Sequence, residues 1–271
     1  MPLTFAHPIA VVPLARRGLV FSALVAGSMA PDFEYFLRLS TRHSFGHTLP
    51  GLFLFSVPAG LAVLWIFHAL LKLPLLSLLP ESHQRRLWLV AREEFRFGPA
   101  RRFGLILLSL LLGAVTHVVW DSMTHPEGWT VVHVPWLGRV IARTPVGELF
   151  VCRVLQHLST AFGLAGLAWG YGRWLRRATV VELPGPARIS GRTKIRLMFY
   201  GGFIAAVAAF LFGYWDNHAK WEADTLVMFG SRAVVAGVSA GFLELVGFGL
   251  WWRFGQRPAP DKTGVTVKAG T

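Results

Sequence analysis

Apolar and polar positions follow one another along this chain in long blocks. Apolar stretches cover residues 49–71, 103–120, 146–174, 195–215 and 226–252, each near or above the roughly 20 residues that carry a helix across a bilayer. A shorter block, 18–30, has about 13 residues and falls short of that length. It either thins the bilayer around itself or pairs with residues 8–15 as a helical hairpin. Pro58 predicts a kink in the first long block, and Pro74 and Pro80 bound a short apolar piece after it. The 146–174 block, at roughly 28 residues, is longer than a bilayer requires, so its first turns should stand above the hydrocarbon. The pattern as a whole predicts an all-α, polytopic transmembrane bundle with about five or six hydrophobic segments. No internal repeat or low-complexity segment is visible.

Composition strengthens this picture. Apolar residues make up 54% of the chain and charged ones 15%, too greasy for a soluble domain of this length. The formal net charge of +13 would suit nucleic acid if it were spread over a surface, but it falls in blocks between the apolar runs. Residues 85–102 carry Arg85, Arg86, Arg92, Arg96, Arg101 and Arg102 against Glu93 and Glu94, and residues 173–196 and the tail from Arg253 are also basic. Such blocks mark cytoplasmic loops, so nucleic acid is set aside as a partner and membrane lipid takes its place. The expected location is the bacterial inner membrane, multi-pass, with the basic loops cytoplasmic. The start lacks the basic region of a cleavable signal peptide. Residues 1–254 read as one integral membrane domain and 255–271 as a polar, disordered tail. The single cysteine, Cys152, excludes an intramolecular disulfide and a cysteine-built zinc site.

That orientation gathers the chemistry at one level. His117, Asp121 and His125 recur every fourth residue, so on a helix they form one stripe, which Pro126 ends. A second cluster runs from Asp32 through Arg38, Arg42 and His43 to His47. Asp32, His43, His47, Asp121, His125, His133 and His218 fall outside, with His117 and His157 a turn or more below that surface. Imidazole and carboxylate form the ligand set of zinc and related divalent ions, and ionisable residues converging within a charge-poor membrane chain mark a site. The plainer readings are a hydrogen-bonded His117–Asp121 pair, a helix stop at Asp32, and interfacial anchors at His43, His133 and His218. His68 and His83 lie at the cytoplasmic end, where no chemistry is expected.

Several motifs together carry a resemblance. Met1-Pro2-Leu3-Thr4-Phe5-Ala6-His7-Pro8, Gly27-Ser28-Met29-Ala30-Pro31-Asp32, Ser44-Phe45-Gly46-His47 with Gly51, Thr116-His117 with Asp121, Thr124-His125, and Leu155-Gln156-His157-Leu158-Ser159 resemble the DUF4184 family of bacterial integral membrane domains of unknown function. The order His, Pro-Asp, His, His-x-x-x-Asp, His is also similar to inner-membrane metal-dependent hydrolases and, more remotely, to zinc-dependent phospholipase C and the fungal single-strand nucleases. That likeness implies a metal set of His7, Asp32, His47, His117, Asp121 and His125, with His157 as a further ligand. It implies one or two divalent ions, zinc foremost, with Asp121 and His125 in the chemistry and Arg38 or Arg42 clamping a phosphate. The soluble enzymes continue their last histidine with a glutamate four residues on, where this chain has Ala161, which argues against a complete three-metal cluster. His7 joins the set only if residues 8–30 form a hairpin with both ends outside. The implied reaction is hydrolysis of a phosphoester or a lipid-linked bond at the outer face. The alternatives are a non-catalytic scaffold or transport component, and a haem protein using His117 and His157 as axial ligands. Oligomeric state is left open.

Overall fold

The structure is a computed structural model, and it describes residues 4–40, 45–144, 147–184, 189–215 and 223–255, with side chains of the last segment from 228 onward. Arg42, His43, His218 and nearly all of the 255–271 tail lie outside the described residues. The fold is all-α apart from one small hairpin.

The chain begins with a helical hairpin. A 3-10 turn (Thr4–Ala6), α1 (Pro8–Val11) and a 3-10 segment (Val12–Arg17) descend, Gly18 turns the chain in the left-handed region (φ 76°), and α2 (Phe21–Gly27) returns. A second 3-10 turn (Ala30–Asp32) leads to α3 (Phe33–Arg38). Of the two readings open for residues 18–30, the structure takes the hairpin, so His7 and Asp32 end at the same level. The reason is packing between small residues. A side chain at Gly27 would strike the backbone of Leu110, and one at Gly113 the backbone of Leu24 and Ser28. The α2 backbone therefore lies directly on the next long helix, and such close approach substitutes for the hydrophobic drive that helices lack in lipid.

Among the described residues four helices are long and apolar enough to cross a membrane: α4 (Leu49–Leu78), α6 (Ala100–Thr124), α9 (Gly191–Trp215) and the Met228–Phe254 portion of α10 (Ala223–Phe254). Between them come α5 (Glu81–Arg92), α7 (Trp129–His133), strands β1 (Val140–Thr144) and β2 (Gly147–Phe150), and α8 (Val151–Arg177). α4 continues past the expected end at 71. Each internal proline follows a π turn, Leu52–Ser56 before Pro58 and Phe67–Leu71 before Pro74, and the wider turn takes up the missing N–H without breaking the helix. α8 begins at Val151 rather than 146, because residues 147–150 pair with β1 in an antiparallel ladder that the apolar pattern does not reveal.

The core is the sandwich of α2 between α4 and α6, filled by Ala23, Ala26, Leu64, Ile106 and Leu110. α6 is 25 residues long, roughly 37 Å at 1.5 Å per residue. Its first turn carries Arg101 and Arg102, and its last carries Asp121. The other basic stretches meet at that first end. Arg85 and Val181 exchange hydrogen bonds at 3.1 and 3.2 Å, Lys194 reaches Leu79 O at 2.9 Å, and Arg253 reaches Ala69 O at 3.0 Å. The N-terminal hairpin points the same way: Val20 N donates to Ser109 Oγ at 3.0 Å, and Ser22 meets His68 at 3.0 Å. Ser109 lies about 18 Å along α6 from Asp121. Exposed Arg16 and Arg17 sit at the tip of the hairpin, at the end that points toward those basic stretches.

Candidate metal centre

At the opposite end α6 presents His117 and Asp121 one turn apart, both buried. His117 Nδ1 donates to Ser28 O at 2.8 Å, an acceptor brought within reach by the glycine contacts between α2 and α6. Because a carbonyl only accepts, Nδ1 carries a proton, and Nε2 is the ring nitrogen turned inward. Asp32 arrives from the return limb of the hairpin. Thr4 Oγ1 donates to its Oδ2 at 2.6 Å, which leaves Oδ1 turned to the imidazoles.

His47 comes from a tightly clamped turn. Glu34 Oε2 accepts from Gly46 N at 3.0 Å, and Ser56 Oγ donates to Gly46 O at 3.1 Å. Thr48 caps α4 by accepting from Gly51 N at 3.1 Å and donates to Phe45 O at 2.7 Å. Neither glycine tolerates a side chain, since a Cβ at Gly46 would meet Pro31 O at 2.6 Å and one at Gly51 would strike Phe45 O. The Phe45-Gly46-His47 and Gly51 pattern is thus a geometric device for aiming His47.

The outcome is a cluster of four donor atoms. His47 Nε2 lies 3.2 Å from His117 Nε2, 3.4 Å from Asp32 Oδ1 and 3.3 Å from Asp121 Oδ2; His117 Nε2 lies 3.4 Å from Asp32 Oδ1 and 3.3 Å from Asp121 Oδ2. All four residues offer ligand atoms within 4.8 Å of one another. Zinc–nitrogen and zinc–oxygen bonds near 2.0–2.1 Å place tetrahedral ligands about 3.3–3.4 Å apart. The five separations match that edge, so the donor set fits a small divalent ion.

A second group adjoins it. Asp121 Oδ1 faces His7 Nε2 at 3.6 Å and His125 Nδ1 at 3.7 Å, while the His7 ring stacks on His117 with centroids 3.9 Å apart. Asp121 Oδ1 and His7 Nε2 are buried without a hydrogen-bond partner, which is costly for polar atoms. Burial alone would push Asp32 up, but His117 and His47 hold its carboxyl below the usual value. Burial holds His125 below the usual imidazole value against the pull of Asp121.

Of the expected residues, the structure gathers His7, Asp32, His47, His117, Asp121 and His125. It does not gather His157, which is exposed on α8. Successive helical residues point about 100° apart, and the inward place goes to Gln156, buried and 3.1 Å from His125 Nε2. The facing His117–His157 pair needed for axial haem ligation is therefore absent from this arrangement. Arg38 is mostly exposed and bound to Glu34 at 2.7 Å, so its charge is already engaged, and Arg42 lies outside the described residues. Thr4, Ser28 and Gln156 support the cluster without being legible as ligands. Only their place within the motifs that flank His7, Asp32 and His157 hinted at them.

Comparison with known proteins adds one finding: the family described as Domain of unknown function (DUF4184) matches residues 1–250. No curated protein and no solved structure matches the chain.

Proposed function

The chain belongs to the DUF4184 family, and from its buried carboxylate–imidazole cluster we propose that it is a membrane-embedded, divalent-metal-dependent hydrolase. The substrate class is a phosphoester or related lipid-linked bond at the outer face. One observation carries the reading: two imidazole nitrogens and two carboxylate oxygens, drawn from three separate parts of the chain, stand 3.2–3.4 Å apart in the five measured pairs. In its neutral form His117 offers an inward Nε2 lone pair beside the two carboxylate oxygens, the donor set that a divalent ion takes.

Asp32, His47, His117 and Asp121 would hold the ion, and this all-nitrogen-and-oxygen set suits zinc. When bound, such an ion supplies Lewis acidity toward a phosphoryl oxygen and lowers the pKa of water. The protein's own contribution is orientation. Ser28 fixes the His117 tautomer, Thr4 fixes the Asp32 carboxylate, and the Glu34–Gly46–Ser56 clamp fixes His47. The positive-inside rule supports an inner-membrane protein whose basic end is cytoplasmic. The cluster, at the far end from those basic stretches, then opens outward, next to lipid headgroups.

The test is hydrolysis by the purified full chain in detergent, using phosphomonoester, phosphodiester and phospholipid substrates. Turnover abolished by chelator, restored by zinc and lost in His47→Ala is the expected result. Turnover that ignores chelator, or zinc-loaded protein inert toward every substrate, counts against the hydrolase reading.

A further inference from the structure

Resting on the metal reading above, we infer that the centre holds a single ion, and that Gln156 and Arg153 enforce this by keeping His125 from acting as a ligand. The argument follows hydrogen-bond direction along α8. Arg153 Nη1 lies 3.2 Å from Gln156 Oε1, and a guanidinium only donates, so the amide oxygen of Gln156 must face it. The amide nitrogen then points the other way, 3.1 Å from His125 Nε2. An amide N–H donates, so His125 Nε2 must accept, and the ring proton goes to Nδ1. Nδ1 in turn lies 3.2 Å from Asp121 O, a carbonyl that takes this proton in a hydrogen bond.

The consequence concerns the second group of donors. His125 presents an N–H, not a lone pair, toward the side where Asp121 Oδ1 stands 3.7 Å away. That leaves His7 Nε2 and Asp121 Oδ1, two protein donors, where a zinc site normally takes at least three. Metal-bound histidines generally donate their remote N–H to a carboxylate or carbonyl. Here the remote nitrogen of His125 meets a donor, the opposite polarity. Gln156 is thus a positioning residue acting through His125, and Arg153 acts on it through Gln156.

The polarity can be reversed by one atom. In Gln156→Glu a carboxylate accepts from His125 Nε2–H and frees the Nδ1 lone pair toward Asp121 Oδ1. The experiment loads the purified full chain with Co²⁺ and reads both metal per chain and magnetic coupling between ions by electron paramagnetic resonance. Expected are one Co²⁺ in wild type, one in Gln156→Leu and one in His125→Ala, with Gln156→Glu rising to two coupled ions. Gln156→Leu shares any packing damage but creates no acceptor, so a gain confined to the glutamate variant separates polarity from structure. Two ions in wild type, falling to one in His125→Ala, overturn the inference and leave the metal centre standing. One ion in Gln156→Glu also overturns it, and no ion in wild type overturns both this inference and the reading beneath it.

Discussion

The carboxylate–imidazole cluster depends on a few atoms whose partners lie outside it. Thr4 Oγ1 holds Asp32 Oδ2 at 2.6 Å, and outer partners of this kind change metal affinity by about 10–100-fold. Thr4→Val should therefore weaken zinc binding by about that factor in chelator competition, with unchanged stoichiometry at saturating metal; equal affinity in the two proteins would deny Thr4 this part. Much of this scale is legible in the chain. The four-residue spacing puts His117 and Asp121 on one helix face wherever the helix goes, and the Pro-Asp and Gly-His steps mark sharp turns that aim Asp32 and His47. Less legible is anything decided by helix phase or hydrogen-bond direction. His157 is the chemically obvious residue on α8, yet its neighbour Gln156 faces the cluster, because the start of α8 is set by a strand whose pairing partner is not apparent from hydropathy. Arg38 reads as a phosphate clamp until Glu34, four residues earlier on the same face, takes its guanidinium.

Among the elements, the α2–α6 contact matters most. Gly27 and Gly113 bring two backbones together, and that distance sets the Ser28 carbonyl against His117. A valine at 113 has no room, and overpacking typically costs 1–3 kcal/mol. Gly113→Val should lower the melting temperature and release metal at once, since the same displacement moves Ser28 from His117. Gly104 lies in the same helix with nothing near its missing Cβ, so Gly104→Ala should be neutral or stabilising by up to about 1 kcal/mol. Equal melting of the two variants would remove the contact from the account. The hairpin itself was one of two readings of residues 18–30, undecided because an apolar run of that length suits a thinned bilayer as well as a re-entrant pair. Pro74 points in the opposite direction, since it reads as a boundary while the π turn before it lets α4 run on to Leu78.

Across the whole molecule, charge divides the two ends. Basic stretches meet at the start of α6 and the carboxylate–imidazole cluster sits at its finish, so the proposal of cytoplasmic basic loops carries with it an outward-facing site. Single-cysteine labelling in a Cys152→Ser background tests it: His133→Cys should react with an impermeant reagent from outside, and Ser190→Cys only from the cytoplasm. The reverse pattern would invert the protein and place its chemistry inside. The all-α architecture and the segregation of charge can be read from hydropathy and composition, because lipid leaves so few ways to satisfy a backbone. Which segments touch which cannot, since small-residue packing in a bilayer leaves little trace in apolar periodicity.

The central claim is that these residues bind a divalent ion, and it is tested most directly by melting the purified protein with and without chelator alongside its metal content. An ion that binds only the folded state adds about 4 kcal/mol when present a thousandfold above its dissociation constant. Wild type and His83→Ala, altered at the basic end, should carry stoichiometric metal and melt lower in chelator. Asp121→Ala should carry less metal and melt below wild type in metal, yet match wild type in chelator. Wild type without stoichiometric metal, melting identically in both conditions while Asp121→Ala is destabilised equally in each, would contradict the account and make the cluster a structural hydrogen-bond network.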